Sequence, residues 1–111
     1  MVNSRTPVAI QEQAGFPERT SWVDTGISVV IPAKSFYSVS LIVLYQNTAP
    51  SRVMIENGDT ALGLNEGSGV SLSTSYAGYT AKEITLTCSA MFPAENGNSI
   101  AKMTGFYIPM S

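Results

Sequence analysis

Residues that could carry out catalysis are scarce in this sequence. The chain has no histidine, which excludes Ser-His-Asp and Cys-His nucleophile systems and histidine-ligated zinc. Its eight acidic residues include no pair that the sequence marks as the two carboxyl groups of a glycosidase. The glycine-rich stretch 63–69 does not lead into a helix with Lys followed by Ser or Thr, so it is not a P-loop. We therefore predict a protein with no catalytic residues and no cofactor.

Oxygen-bearing side chains occur at two predicted turns. Glu56, Asn57, Asp59 and Glu66 carry the kind of oxygen ligand that calcium takes. Their spacing is not that of an EF-hand loop, and turns are commonly rich in such residues. We therefore predict no metal site, and Asn57 and Asp59 are candidates for contacts to a bound ligand.

Two tyrosines flank a short Ala-Gly segment that we predict to be a loop over residues 77–81. Rigid aromatic side chains beside small polar residues suit the recognition of sugars or protein surfaces, because they give contact area at a low entropy cost. Tyr76 and Tyr79 are therefore candidate ligand-binding residues. The alternative is structural, with Tyr76 covering the core and Tyr79 lying on the surface.

The composition indicates one folded domain. The chain has 111 residues, of which 44% are hydrophobic and 13% charged, with a net charge of −2. This balance argues against disorder and gives no basic surface for nucleic acid. The longest apolar run, 41–45, is too short to cross a bilayer, and the first residues do not have the pattern of a secretion signal. The single cysteine, Cys88, is expected to be a small buried hydrophobic residue.

The stretch 27–46 is the one around which the fold is predicted to form. It contains two strand-like runs joined by a corner at 32–35, and the second run is the longer. Its apolar odd-numbered positions indicate one buried face, because successive side chains of a strand point to opposite sides. They are Tyr37, Val39, Leu41, Val43 and Tyr45. The even-numbered positions are polar at Ser38 and Ser40 but apolar at Ile42 and Leu44.

The remaining chain has the same strand pattern, with turn signals about every ten residues. Asn57-Gly58 predicts a tight hairpin turn of type I′. Alternating patterns follow in 70–76 and 83–92, and a less regular strand runs over 100–109. We predict an all-β protein, an antiparallel β-sandwich of jelly-roll type with seven or eight strands. Residues 1–20 have no clear period and are predicted to form an arm or linker, followed by a sandwich domain over 21–111.

A contact between subunits is predicted from apolar side chains that point away from the core. Val30, Ile42 and Leu44 face away from the side that holds Tyr37 and Leu41. Such a patch is unusual on the surface of a monomer. A symmetric homo-oligomer would cover it, and so could the N-terminal arm. Trp22 is a further candidate for this contact, since tryptophan is favoured at interfaces as well as in cores.

Three features of the chain resemble those of bacteriophage fibre heads. They are the segment 31–35 (IPAKS) leading into 39–41, a remainder rich in Ser, Thr, Gly and Asn, and a final strand at 106–109. The resemblance covers about residues 27–109. It implies a homotrimeric virion appendage, made in the host cytoplasm, that attaches to a host surface glycan or protein without inserting into the membrane.

Two alternatives to such an attachment domain stay open at this point. One is a capsid or tail assembly or decoration protein that binds no receptor. The other is a bacterial carbohydrate-binding module or adhesin.

Overall fold

The computed structural model describes residues 5–110, which form eight strands and no helix. The strands are β1 (Val8–Pro17), β2 (Val23–Ile31), β3 (Ser35–Tyr45), β4 (Arg52–Asn57), β5 (Thr60–Glu66), β6 (Leu72–Thr80), β7 (Ile84–Met91) and β8 (Asn98–Pro109). They build two four-stranded antiparallel sheets, one in the order β1-β8-β3-β6 and the other in the order β2-β7-β4-β5. The predicted all-β sandwich is confirmed.

The topology is that of one long hairpin wound into two sheets. Strand β4 pairs with β5, β3 with β6, β2 with β7 and β1 with β8. The β3–β8 and β4–β7 pairs then join these four ladders into the two sheets. This winding is the jelly roll. It places β3 and β8, the two longest strands, side by side in the middle of the first sheet.

Strand β3 shows the alternation that its sequence predicts, except at its last residue. Tyr37, Val39, Leu41 and Val43 are buried in the core between the sheets, whereas Tyr45 lies at the strand end and is exposed. Ile42 and Leu44 point the other way and are 37% and 38% exposed. The two-faced pattern of this strand is therefore real, and its apolar outer positions are open to solvent in the single chain. The facing sheet supplies buried partners for the inner positions, including Ile31, Val53, Ile55 and Leu86.

The first strand corrects the prediction of an arm over residues 1–20. Residues 8–17 form β1, which pairs with β8 along its whole length from Val8 opposite Tyr107 to Pro17 opposite Asn98. Ile10 and Phe16 enter the core, and the Phe16 ring lies 5.8 Å from that of Phe92. The sequence hides this strand because an inward position, Glu12, is polar, so the period is broken. Residues 1–4 of the predicted arm lie outside the described part.

The turns confirm one prediction and change two. The β4–β5 hairpin forms at the expected place, with Asn57 opposite Thr60. Of its two central residues, Gly58 has φ +59° and Asp59 has no positive φ, so this turn is of type II′ rather than type I′. The loop predicted over 77–81 is wrong, because β6 continues to Thr80.

Burial shifts two ionisable groups of the core. Cys88 is fully buried, and this raises the pKa of its thiol to about 12, with smaller contributions from the charges of Glu56 and Asp24. Burial also raises the pKa of Tyr37, and the neighbouring Tyr76 adds to this effect. Both groups are therefore neutral at physiological pH, as a core residue should be.

Candidate interaction surface

The outer side of the β1-β8-β3-β6 sheet is the most apolar open surface of the described chain. Twelve large hydrophobic side chains of residues 5–110 are exposed, and six of them lie on this side. They are Phe36, Ile42, Leu44, Tyr79, Ile100 and Phe106. We call this surface the apolar face. Monomeric proteins rarely expose a patch of this kind without a use for it.

The register of the strands divides the apolar face into two ends. At the aromatic end, Phe36 stands between Ile108 of β8 and Tyr79 of β6. The rings of Phe36 and Tyr79 are 4.9 Å apart and tilted by 56°, a favourable geometry for an aromatic pair. Phe106 lies one row further along, opposite Ser38. These rings are about half exposed, so each offers a large rigid contact surface.

The aliphatic end lies at the opposite end of the same strands. Leu44 is opposite Ile100 of β8, and Ile42 is opposite Lys102. Gly15 of β1 continues the Ile100 row and has no side chain, which leaves an open groove of about 370 Å³ beside Leu44 and Ile100. Lys102 is the one charged residue of this face among residues 5–110.

A polar row separates the two ends. Gln11, Thr104, Ser40 and Ser75 stand side by side across the four strands. We call this row the polar row. The rows beside it are mixed, with Lys102 and Ile42 on one side and Phe106 and Ser38 on the other. On β3 and β8 the residues four positions from the polar row are apolar at both ends.

The outer side of the other sheet has a different character. Here Ser28, Thr87 and Glu56 lie side by side, and Ser89 donates a hydrogen bond to the Glu56 carboxylate. At its far edge Arg52 and Glu66 form an ion pair of 2.9 Å that is well exposed. Such exposed pairs contribute little to stability. This side is therefore mainly a solvated surface, with apolar residues at Val30 and at the neighbouring pair Met54 and Leu64.

The structure distributes the four predicted ligand-binding residues over three places. Tyr76 points towards the core, where its ring lies 6.0 Å from that of Tyr37. Tyr79 is three positions along β6 and therefore lies on the apolar face. Asn57 and Asp59 belong to the β4–β5 turn of the other sheet. The structural alternative for Tyr76, that it covers the core, matches its position.

The four predicted interface residues are also divided. Ile42 and Leu44 belong to the apolar face, whereas Val30 lies on the outer side of the other sheet, opposite Thr85. Trp22 precedes β2 and is 37% exposed. These four residues therefore do not form one contact surface.

Sequence reasoning missed Phe36, Ile100 and Phe106 as members of the apolar face. In β8 the residues 100, 102, 104, 106 and 108 all have the same parity and so share one side of the strand. Lys102 and Thr104 make that side appear mixed, although the apolar members occupy its two ends. The signal was present in the parity, but only the pairing with β3 shows that these ends extend those of the neighbouring strand.

One buried carboxyl group is not indicated by any pattern in the sequence. Glu18 follows β1 and is fully buried. Its Oε2 accepts a hydrogen bond of 2.9 Å from Ser99 Oγ, and its backbone N–H donates to the Gly97 carbonyl at 3.0 Å. Its Oε1 has no hydrogen-bond partner among the described residues. These bonds tie the end of β1 to the start of β8, a structural role.

Neither a metal cluster nor a membrane-spanning helix is found within residues 5–110. Cysteine and acidic side chains of this part do not gather in groups of three that could hold a metal ion. In the same range, the chain forms no helix long and apolar enough to cross a bilayer.

Comparison with known proteins gives a likeness in fold. No family model matches the chain, and no curated protein matches it. Among solved structures, the chain is similar to one from the acid-stable capsid of Helicobacter pylori bacteriophage KHP30, with a TM-score of 0.60 and 13% identity over 96% of this chain and 94% of that one. It is also similar to a chain from the disulfide-linked pili of Bacillus endospore appendages, with a TM-score of 0.58 and 16% identity over 97% and 93%. At these identities the likeness concerns the fold alone.

Proposed function

We propose that this protein is a non-enzymatic structural subunit of a virion or surface appendage, which works by assembling with further copies of itself. The observation that carries the proposal is the apolar face, an open surface of six large hydrophobic side chains on a rigid sheet. A structural subunit needs such a surface, because burial of apolar area is the main driving force of association. Of the two settings, the virion is favoured, as a capsid or tail assembly or decoration protein.

The similar structures support this proposal. Both the bacteriophage capsid chain and the spore-appendage chain come from assemblies, and each matches nearly the whole length of this chain. A jelly roll is well suited to this role, since its core is closed within one chain and its outer sides stay available for contacts. The chain also lacks histidine, the residue most often used for proton transfer near neutral pH.

The chemistry of assembly would differ from that of the disulfide-linked pili. The single cysteine of this chain, Cys88, is fully buried and its thiol is held neutral. A disulfide between copies would need an accessible thiolate. Contacts between copies are therefore expected to be non-covalent and to survive reducing agents.

The test is self-association of the purified protein. Its mass in solution would be measured by light scattering over a concentration series, with and without reductant, and concentrated samples would be imaged by electron microscopy. We expect a mass above 11.8 kDa that rises with concentration and does not change with reductant. A monomer at every concentration, with no ordered particles, would contradict the proposal.

A second candidate is attachment to a host surface by a homotrimeric fibre head. The exposed Phe36–Tyr79 pair favours it, since a rigid aromatic platform suits sugar binding. The test is binding of the protein to a glycan array, with Tyr79→Ala as the variant and Tyr45→Ala, also exposed and at the end of β3, as the control. This candidate requires binding that Tyr79→Ala abolishes and Tyr45→Ala preserves. Binding by neither the wild type nor the control would remove it.

A further inference from the structure

We propose that the apolar face binds the apolar face of a second copy, related by a two-fold axis that runs along the polar row, across the strands. The inference rests on the proposed function and identifies the surface through which subunits first associate. Strands of the two copies would run in opposite directions, and the aromatic end of one copy would cover the aliphatic end of the other.

The size of the apolar face suits this partner. Four strands about 4.8 Å apart, with nine residues from Phe36 to Leu44 at about 3.4 Å each, give a surface of about 600 Å² in projection. Side chains corrugate it, so the accessible area is larger than the projection. A standard interface buries about 800 Å² on each partner. The face is thus of the size that one partner contributes to a stable pair.

The order of residues along β3 and β8 makes the two ends of the face complementary to each other. After rotation about the polar row, each residue of one copy faces the residue of the second copy that lies on the same strand, equally far from the polar row on its other side. Leu44 then meets the Phe36 ring of the second copy, and Ile100 meets Ile108. Ser40 and Thr104 lie on the axis, and each meets its own equivalent. Four residues from the axis, apolar side chains of β3 and β8 therefore cover apolar side chains. Two residues from it Ile42 meets Ser38, and on the axis the polar rows can exchange hydrogen bonds.

Two copies could also stack their apolar faces about an axis parallel to the strands. The position of Lys102 favours the axis along the polar row instead. Rotation about the polar row puts each Lys102 over Phe106 of the second copy, because the two are equally far from Thr104 on β8. A lysine above an aromatic ring gains a cation–π contact. An axis parallel to the strands, between β3 and β8, would instead put Lys102 over Ile42, which offers its charge no partner.

The first experiment measures the association constant of three variants by sedimentation equilibrium. Phe36→Asp and Leu44→Asp place a carboxylate in the centre of each proposed apolar contact, and we expect each to weaken dimerisation by at least about 30-fold. Val30→Asp is the matched control, because Val30 is 52% exposed on the outer side of the other sheet. Circular dichroism and thermal melting of each variant verify that it is folded, so a loss of association is not a loss of structure.

The second experiment tests the symmetry with a short bis-maleimide cross-linker. Stacked sheets lie about 10 Å apart, which is too far for a direct disulfide but within reach of such a linker. Ser40→Cys lies on the axis, so this single variant should cross-link to itself, whereas Ser28→Cys on the outer side of the other sheet should not. The buried Cys88 does not interfere, because its thiol is neutral and inaccessible.

The outcomes separate this inference from the proposed function. A dimer that Phe36→Asp and Leu44→Asp dissociate, together with cross-linking of Ser40→Cys, supports both. Association that only Val30→Asp disrupts, or a particle of three copies, refutes the two-fold pair while the assembly role stands. A monomer at all concentrations refutes both. Cross-linking between Leu44→Cys and Ile100→Cys, but not between Leu44→Cys and Phe36→Cys, would assign the axis along the strands and so contradict the proposed one.

Discussion

Replacement of Gly105 by alanine is expected to be among the most destabilising single changes in this protein. Gly105 lies in the middle of β8, between β1 and β3, and has φ +153°, a conformation that residues with a side chain rarely adopt. A Cβ at this position would overlap the Ser38 carbonyl oxygen and lie 2.9 Å from the Val39 Cα. Both are backbone atoms of the central strand β3, so they cannot move aside by a rotamer change.

The magnitude follows from two separate costs. The unfavourable backbone conformation costs about 1–3 kcal/mol for a residue other than glycine. The overlap must be relieved by shifting β3 or β8, and such overpacking costs typically about 1–3 kcal/mol more. The sum, about 4 kcal/mol, is a large part of the roughly 5–15 kcal/mol by which domains are stable. We therefore expect Gly105→Ala to unfold at a much lower urea concentration or to fail to fold.

Two other glycines separate these costs. Gly58 has φ +59°, but no atom lies within 4 Å of the position that a Cβ would take, so Gly58→Ala should cost only about 1–2 kcal/mol for its backbone conformation. Gly15 has neither problem, since its φ is not positive and the nearest atom is 4.0 Å away. Gly15→Ala should be neutral or stabilise by about 0.4–1 kcal/mol.

The assay is equilibrium unfolding in urea, followed by far-ultraviolet circular dichroism and by the fluorescence of Trp22. Coincident transitions from the two probes would justify calculating the free energy of unfolding with a two-state model. If the free energy of unfolding of Gly105→Ala lies within about 1 kcal/mol of that of Gly15→Ala, the close approach of β8 and β3 does not require a glycine at this position, and the reasoning is refuted. If Gly105→Ala and Gly58→Ala cost the same, the backbone conformation alone explains the effect and the overlap does not.

Further predictions concern buried polar groups. The Cys88 thiol should not react with a disulfide reagent in the native protein and should react on addition of denaturant, because burial keeps it neutral; a fast native reaction would contradict its placement. Between about pH 9 and about pH 12, native Cys88 keeps its proton because its pKa is raised, whereas the unfolded chain loses it. The free energy of unfolding of wild type relative to Cys88→Ala should therefore be constant below pH 9 and fall by about 1.4 kcal/mol per pH unit up to about pH 12. Urea titrations at several pH values would measure this. Ser99→Ala should cost about 2 kcal/mol of stability, because it leaves the Glu18 carboxyl group without its hydrogen bond. The double change Glu18→Met with Ser99→Ala should recover most of that loss in thermal melts. Additive losses would show that the two groups are not coupled. An ultraviolet titration of tyrosines should lose its last step in Tyr37→Phe, because the pKa of Tyr37 is raised by burial.

Features that depend on near neighbours along the chain could be predicted from the sequence alone. The buried odd-numbered side chains of β3 follow from the two-residue period of a strand, and the β4–β5 hairpin follows from Asn57-Gly58. Seven or eight predicted strands with frequent turns limit the fold to a sandwich or barrel. The lack of histidine excludes whole classes of catalytic site whatever fold the chain adopts.

Features that depend on distant parts of the chain were decided by the tertiary structure. Strand β1 has a broken period and becomes recognisable only through its pairing with β8, about 90 residues away. The sequence predicts one site for the two tyrosines of β6, but the strand continues to Thr80 and turns Tyr76 inward and Tyr79 outward. A single residue added to or removed from a strand reverses every side chain after it, so small errors in strand ends become large errors in a site.

The apolar face is the clearest example of a feature that sequence analysis could not predict. Its members come from three strands, β3, β6 and β8, whose residues lie far apart in sequence. The outer sides of β3 and β8 are each mixed, with polar residues between apolar ones, and only the register places Ser40 beside Thr104 and Phe36 beside Ile108. Local sequence determines which side of a strand a residue occupies, whereas hydrogen-bonded pairing determines which residues of other strands stand beside it.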